Sequence, residues 1–393
     1  MTNDMTVENL VNLIVRFMIP MCLGNIFQQL YNLADSIVAG QFIGVDALAA
    51  IGGTSSLMFF VTGWLNGLAS GFAILVAQCF GAKKLERMRH FVAMSVYLMT
   101  AFSIIMTVGF EAANRPILRL MNSPENLIGD ISAYMGVIYA GLFVTAAYNF
   151  LAAVLRALGD SKSPLYFLMI SAAINVLLDI VLIVNFHMGV EGCAYATVIA
   201  QGISAALCLL YIVKKFPILH LRKENFHFSI QSIKKLLGLG IPMGLQFSIT
   251  AIGTIIVQGA VNVYGAVYIA GFSAASKLQN IIAAVFVSFG ATAATFVGQN
   301  RGAGKMERVK QGVRCTQWMI LGWSFVMMVC VYLFGKYMVL LFTDGSETKV
   351  IYAAVTYFKA VAWCYPFLGC SFFIPQCSAG NGLWSDSYVG RCF

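Results

Sequence analysis

Charge is what this sequence has least of. Asp, Glu, Lys and Arg make up 10% of its 393 residues, where a soluble domain carries about 25%. That shortage, 60% hydrophobic residues and a mean hydropathy of +0.81 exclude an ordinary soluble domain. Acids are scarcest in the second half: between Glu224 and Asp344 the only one is Glu307. The ten cysteines form no Cys-x-x-Cys pair and most fall in apolar stretches, so they read as small packing residues. The sequence lacks a phosphate-binding Gly-x-x-x-x-Gly-Lys-Ser/Thr loop, a metalloprotease motif and a nucleophile elbow, which argues against an ATP-driven pump or an enzyme and implies no cofactor. The apolar stretches also lack period-2 alternation, which argues against a β-barrel. Met1–Glu8 is polar and acidic and the first apolar stretch is too long for a cleavable leader.

What is present is a series of ten long apolar stretches, near 10–40, 47–80, 89–113, 128–157, 163–185, 190–215, 232–262, 267–299, 309–340 and 348–376. Each meets the roughly 20 residues a bilayer-spanning helix needs. Pro20 and Pro242 lie early in corresponding helices, where they can kink or begin them. The net charge of +9 is placed asymmetrically. Of 25 Lys and Arg, 17 fall in the even-numbered connections, and only Arg115, Arg119, Lys336 and Lys349 fall in the odd-numbered ones. This predicts cytoplasmic even loops and cytoplasmic termini. The basic excess then reflects topology, with no nucleic-acid partner implied; membrane lipids are the expected surroundings.

The chain repeats itself. Ala77–His90 (AQCFGAKKLERMRH) returns as Gly298–Gln311 (GQNRGAGKMERVKQ), with six of 14 positions identical and no gap. At the same offset of 221, Gly44–Ala50 aligns with Gly265–Gly271, and Arg156–Ser161 (RALGDS) with Cys377–Gly382 (CSAGNG). An offset spanning six helices preserves orientation, so the halves are parallel repeats of a transporter type. The expected fold is an all-α, polytopic membrane protein of two helical lobes. Its expected segments are an N-terminal six-helix lobe (1–222), a cytoplasmic linker (223–232), an incomplete four-helix C-terminal lobe (233–382) and an atypical tail (383–393). By the repeat's own logic two further helices are expected, making ten of twelve. Gly81 and Gly302 read as C-caps of helices 2 and 8, the Arg156–Lys162 turn as structural, and Glu86-Arg87 and Glu307-Arg308 as local ion pairs.

Ionisable residues within membrane helices are costly and so mark function. Of 16 acids, only Asp35 and Asp179 lie deep in apolar stretches. Asn25, Gln28, Asn32 and Asp35 are spaced 3, 4 and 3, which puts them on one helical stripe. For Asn25 such a stripe suits interhelical hydrogen bonding; for Asp35 the carboxylate's desolvation cost points beyond that. Asn175 and Asp179 share a face at i, i+4, as do Thr197 and Gln201. Two carboxylates with amide and hydroxyl oxygens supply hard ligands for a small cation. The same pair can hold a proton, because burial and a like-charged neighbour both favour the protonated carboxyl. The residues leave both readings open, beside that of a structural polar cluster. In the second half, Lys277 sits deep in an apolar stretch, Lys359 reads as snorkelling, and Gln246, Thr250, Thr254 and Gln258 form another stripe.

Asn32–Asp35, the two Gln-x-x-Gly-Ala phrases, Arg156–Pro164 (RALGDSKSP), Ile174–Ile183 (INVLLDIVLI) and Met188–Gln201 (MGVEGCAYATVIAQ) together resemble the multidrug and toxic compound extrusion (MATE) family, from about Arg16 to Gly382. The resemblance implies twelve helices in two lobes around a central cavity, from which this chain departs after ten. It implies an N-lobe cation site on Asp35, Asn175, Asp179 and Thr197. The expected substrate cavity takes in Gln28, Tyr31, Asn32, Asn149, Gln201, Gln246 and Lys277. The expected activity is antiport across the inner membrane by a monomer, exchanging Na⁺ or H⁺ for an amphipathic, cationic organic compound, with no metal other than Na⁺ at the cation site. Two rivals stand beside it: a non-transporting fragment, and a lipid-linked saccharide flippase, which the near-isolation of Lys277 disfavours.

Overall fold

A computed structural model of the chain describes residues 4–121, 125, 127–340 and 348–381. The 383–393 tail lies outside them. The described residues form twelve α-helices: α1 (Leu10–Phe42), α2 (Val45–Gly81), α3 (Leu85–Leu120), α4 (Ile128–Ala140), α5 (Leu142–Ala157), α6 (Lys162–Ile180), α7 (Val190–Lys215), α8 (Ile230–Asn262), α9 (Ala266–Gly302), α10 (Met306–Val339), α11 (Thr348–Ala362) and α12 (Tyr365–Gly380). Eight helices are long and apolar enough to span a bilayer. Two pairs, α4–α5 and α11–α12, bend by 47° and 53° at short breaks and give ten spans if each counts once. The bends fall within stretches that read as single helices in the sequence, because apolar composition continues through Gly141 and through Trp363-Cys364.

The repeat is visible in the elements. Helices α1 to α5 contain 33, 37, 36, 13 and 16 residues, and α8 to α12 contain 33, 37, 34, 15 and 16. Two apolar clusters hold the bundle. One joins α2 to α7, and the other joins α9 to α12. The first helix of each half crosses between them at its start. Leu13, Ile14 and Phe17 of α1 pack in the C-terminal cluster, while Leu236, Leu239 and Met243 of α8 pack in the N-terminal one. Further along, Val38 and Ala39 of α1 return to the N-terminal cluster.

Where α2 meets α8 the backbones touch. A Cβ on Gly67 would lie 2.6 Å from the Gly244 backbone, and one on Gly71 2.6 Å from Gly240. Small residues at such a crossing let membrane helices approach closely. The opposite end of α8 is different: residues 252–257 are exposed on every face, so that half of the helix stands away from its neighbours. The lobes are thus joined at the end carrying the Lys- and Arg-rich turns and parted at the other.

The joined, basic end is built from the repeated phrase. Gly81 and Gly302 do not act as C-caps. The residues in the left-handed region are Lys83 (φ 55°) and Gly304 (φ 74°), themselves 221 apart. The two glycines instead permit contact across the repeat axis: a Cβ on either would lie 1.9 Å from the backbone of Gln299 or Gln78. The glutamines then cross lobes reciprocally. Gln78 Nε2 donates to the Gly380 carbonyl (2.9 Å), and Gln299 Nε2 donates to the Ala157 carbonyl (2.8 Å). The N-terminal segment seals the same seam. Met5 N–H donates to Gln299 Oε1 (3.0 Å), Asn300 donates to the Met5 carbonyl (3.1 Å), and Lys305 to the Thr6 carbonyl (2.8 Å). The expected Glu-Arg neighbours are not the ion pairs. Glu86 pairs with Arg89 and Glu307 with Lys310, because i, i+3 residues share a helix face and adjacent ones do not. On the N-terminal side, His90 Nδ1 donates to the Asn225 carbonyl and its Nε2 meets Ser232 Oγ, both at 3.0 Å, so α3 grips the segment entering α8.

Candidate functional site

Three helices of the N-terminal half bring the predicted cation set together. Asp35 lies late on α1, Asn175 and Asp179 one turn apart on α6, and Thr197 on α7. Asp35 is 8% exposed, Asn175 and Asp179 are 0%, and Thr197 is 6%. The Thr197 hydroxyl donates to Asp35 Oδ2 (3.4 Å). The Asp35 and Asp179 carboxyls lie within hydrogen-bonding reach of each other. With both ionised, Asp35 Oδ1 and both Asp179 oxygens have no donor, and the Asn175 amide has no partner on either atom. Buried polar groups are almost always paired, and here unpaired oxygens of two carboxyls are concentrated in one place. A proton on one carboxyl, or a small cation between them, would satisfy the pair. No group of three or more His, Cys, Asp or Glu suited to a metal occurs among the described residues.

Local structure presents these groups. Immediately after Asp179, α6 loosens into a π-helical turn, Val181–Asn185. Such turns widen the helix and recur beside functional groups. At the other end of α6, Asp160 Oδ1 accepts from the Ser163 N–H (3.0 Å) and its Oδ2 from the Ser163 hydroxyl (2.7 Å), which fixes where α6 begins.

The predicted cavity residues divide. Tyr31 turns inward, its buried hydroxyl beside Thr197 and Asp35; it belongs with the carboxyl pair. Tyr134 on α4, which no sequence pattern singled out, is buried beside the same carboxyls. It follows no polar stripe that would have flagged it. Gln28 and Asn32 are exposed along the α1 stripe, and Asn149 is half-buried. Gln201 is not free: its Oε1 accepts from Thr145 within the same half. Gln246 Nε2 donates to the Ser371 carbonyl (2.9 Å), while its Oε1 is buried without a donor. Thr250 and Thr254 return their hydroxyls to their own helix. Lys277 is exposed and makes no ion pair with a described residue. Asn25 behaves as interhelical glue, donating to Ser288 Oγ (2.9 Å) on α9. Lys359 lies over the Tyr332 ring, 5.7 Å from its centre.

The chain is 32% identical over 379 residues to the probable multidrug resistance protein YpnP of Bacillus subtilis (strain 168), covering 94% of this chain and 82% of that protein. It is 28% identical over 377 residues to YoeA, another probable multidrug resistance protein of that organism, covering 94% and 81%. Its fold superposes, with a TM-score of 0.88 and 21% identity, on an outward-facing multidrug resistance MATE family transporter of the MOP superfamily, over 97% of this chain and 86% of that one. The MatE family model matches residues 20–181 and 242–382, well over half of the sequence. The chain belongs to the MatE family.

Proposed function

We propose that this protein is a cation-coupled antiporter that exports amphipathic, cationic organic compounds, with Asp35, Asn175, Asp179 and Thr197 holding the coupling Na⁺ or H⁺ and Tyr31 beside them. The observation that carries this reading is the facing carboxyl pair in α1 and α6, buried among unpaired polar atoms. In this reading the basic end is cytoplasmic and closed, and the cleft between the parted lobes opens outward through the inner membrane. The exposed face of α1 with Gln28 and Asn32, and Lys277 opposite, lies on the substrate route.

Coupling follows from where the pair sits. Asp35 is carried by α1, which crosses between the lobes, while Asp179 is carried by α6 within one of them. A cation drawing the two carboxyls together moves α1 against the N-terminal half, and α1 also bonds α9 through Asn25. Drug and cation must bind the two lobe arrangements unequally for exchange to occur. The test is drug efflux from energised cells expressing wild type, Asp35→Asn or Asp179→Asn at matched membrane levels. Undiminished, still cation-dependent efflux in either variant would sink the coupling role.

A further inference from the structure

Between the two cross-lobe glutamine bonds lies a small cavity of about 30 Å³. At roughly 10–15 Å³ per water-sized occupant, it has room for one chloride-sized ion or about two waters. Both halves wall it: Ser70 and Ala77 from α2, Arg156 from α5, Thr295 from α9 and Gln376 from α12. Alanines form most of the remaining lining, which is why space remains at an otherwise tight seam.

The polar groups here do not satisfy one another. The Arg156 guanidinium makes no hydrogen bond or ion pair with any described residue, and Tyr148 and Cys208 lie near it. Asp160, the nearest acid along the chain, turns both oxygens to the first turn of α6. Gln376 is 5% exposed, and neither its amide nor the Ser70 hydroxyl has a described partner. Thr295 donates to its own helix, at Ala291. Arg156 is half-buried, and guanidinium, amide and hydroxyl donors together suit an anion.

We propose that this cavity is a binding site for one small monovalent anion, chloride in the cell, held by Arg156 with Gln376 and Ser70. Its walls come from both lobes, so the anion stabilises the arrangement closed at the basic end and is released when the lobes part there. None of the residues of the carboxyl site lines it, and the inference stands or falls independently of cation coupling.

The test uses purified protein at fixed Na⁺, pH and ionic strength, with chloride exchanged stepwise for gluconate, and reads the thermal unfolding midpoint. Wild type is expected to rise saturably with chloride, and Arg156→Gln to lose that rise while keeping the response to Na⁺ or pH that wild type shows. Gln376→Leu and Ser70→Ala, which retain the guanidinium, are expected to need severalfold more chloride for half the effect. They carry the test if Arg156→Gln does not fold. Crystals grown in bromide should show an anomalous peak beside Arg156. A wild-type midpoint indifferent to chloride, a chloride response unchanged in the variants, or bromide-grown crystals with water alone at the cavity would overturn the proposal.

Discussion

Replacing Asp179 by asparagine removes one of two carboxyls that face each other in a dry part of the N-terminal half. Two unit charges about 4 Å apart, at an effective dielectric constant near 20, repel by about 4 kcal/mol. Binding one monovalent cation relieves that repulsion, which amounts to about three decades of affinity at roughly 1.4 kcal/mol per decade. A cation present at a hundred times its dissociation constant stabilises the folded protein by about 2.7 kcal/mol. Wild type should therefore gain unfolding resistance with Na⁺ at high pH, or with acidification if the proton is the coupling ion. Asp179→Asn should lose most of that increment while unfolding no earlier than cation-free wild type, since a neutral amide removes the repulsion. The assay is a thermal midpoint series over Na⁺ and pH in detergent. An Asp179→Asn protein whose midpoint keeps the full wild-type cation dependence would show that the carboxyl pair does not hold the cation.

Other outcomes follow from the seam and the stripes. Gln78→Ala and Gln299→Ala each leave a buried carbonyl unsatisfied, a cost of about 1–3 kcal/mol; they should shift interlobe spin-label distances at the basic end toward longer values, whereas Ser171→Ala, which removes a bond within one half, should not. Gly81→Ala or Gly302→Ala places a methyl where a backbone already sits and should cost more than the usual 1–3 kcal/mol of overpacking, read as a lost transition at the wild-type temperature. Gly109→Ala meets nothing within 4 Å and should be neutral or stabilising by up to about 1 kcal/mol. Asn25→Leu removes an interhelical bond worth about 0.6–2 kcal/mol; its midpoint should fall slightly while cation dependence persists.

The span pattern and the polar face of each helix were legible in the sequence because apolar length and i, i+4 spacing are local properties; the meeting of α1, α6 and α7 was implied by the family resemblance. Spacing alone puts Asn175 and Asp179 on one helix face, and it does the same for the α1 stripe. What escaped was non-local. Gly81 and Gly302 read as helix caps because a turn follows each, yet their lack of a side chain is used by a backbone 221 residues away. Arg156 read as a turn residue because it precedes Gly159-Asp160, and no sequence pattern reveals that it faces a cavity walled by the other half. Tyr134 is one aromatic among many until α4 is packed against α7, the helix that carries Thr197. The bends at Gly141 and near Cys364 were invisible because composition does not change across them. Gln201 looked like a cavity residue by its spacing from Thr197, but a hydroxyl on α5 claims it.

Drug transport in proteoliposomes under an imposed Na⁺ or pH gradient, comparing wild type with Asp35→Asn and Asp179→Asn, decides whether the carboxyl pair couples export to a cation. Wild type should accumulate drug against its gradient and reverse when the cation gradient is reversed, while both variants only equilibrate it. Gradient-driven accumulation at wild-type levels in either variant would contradict that coupling.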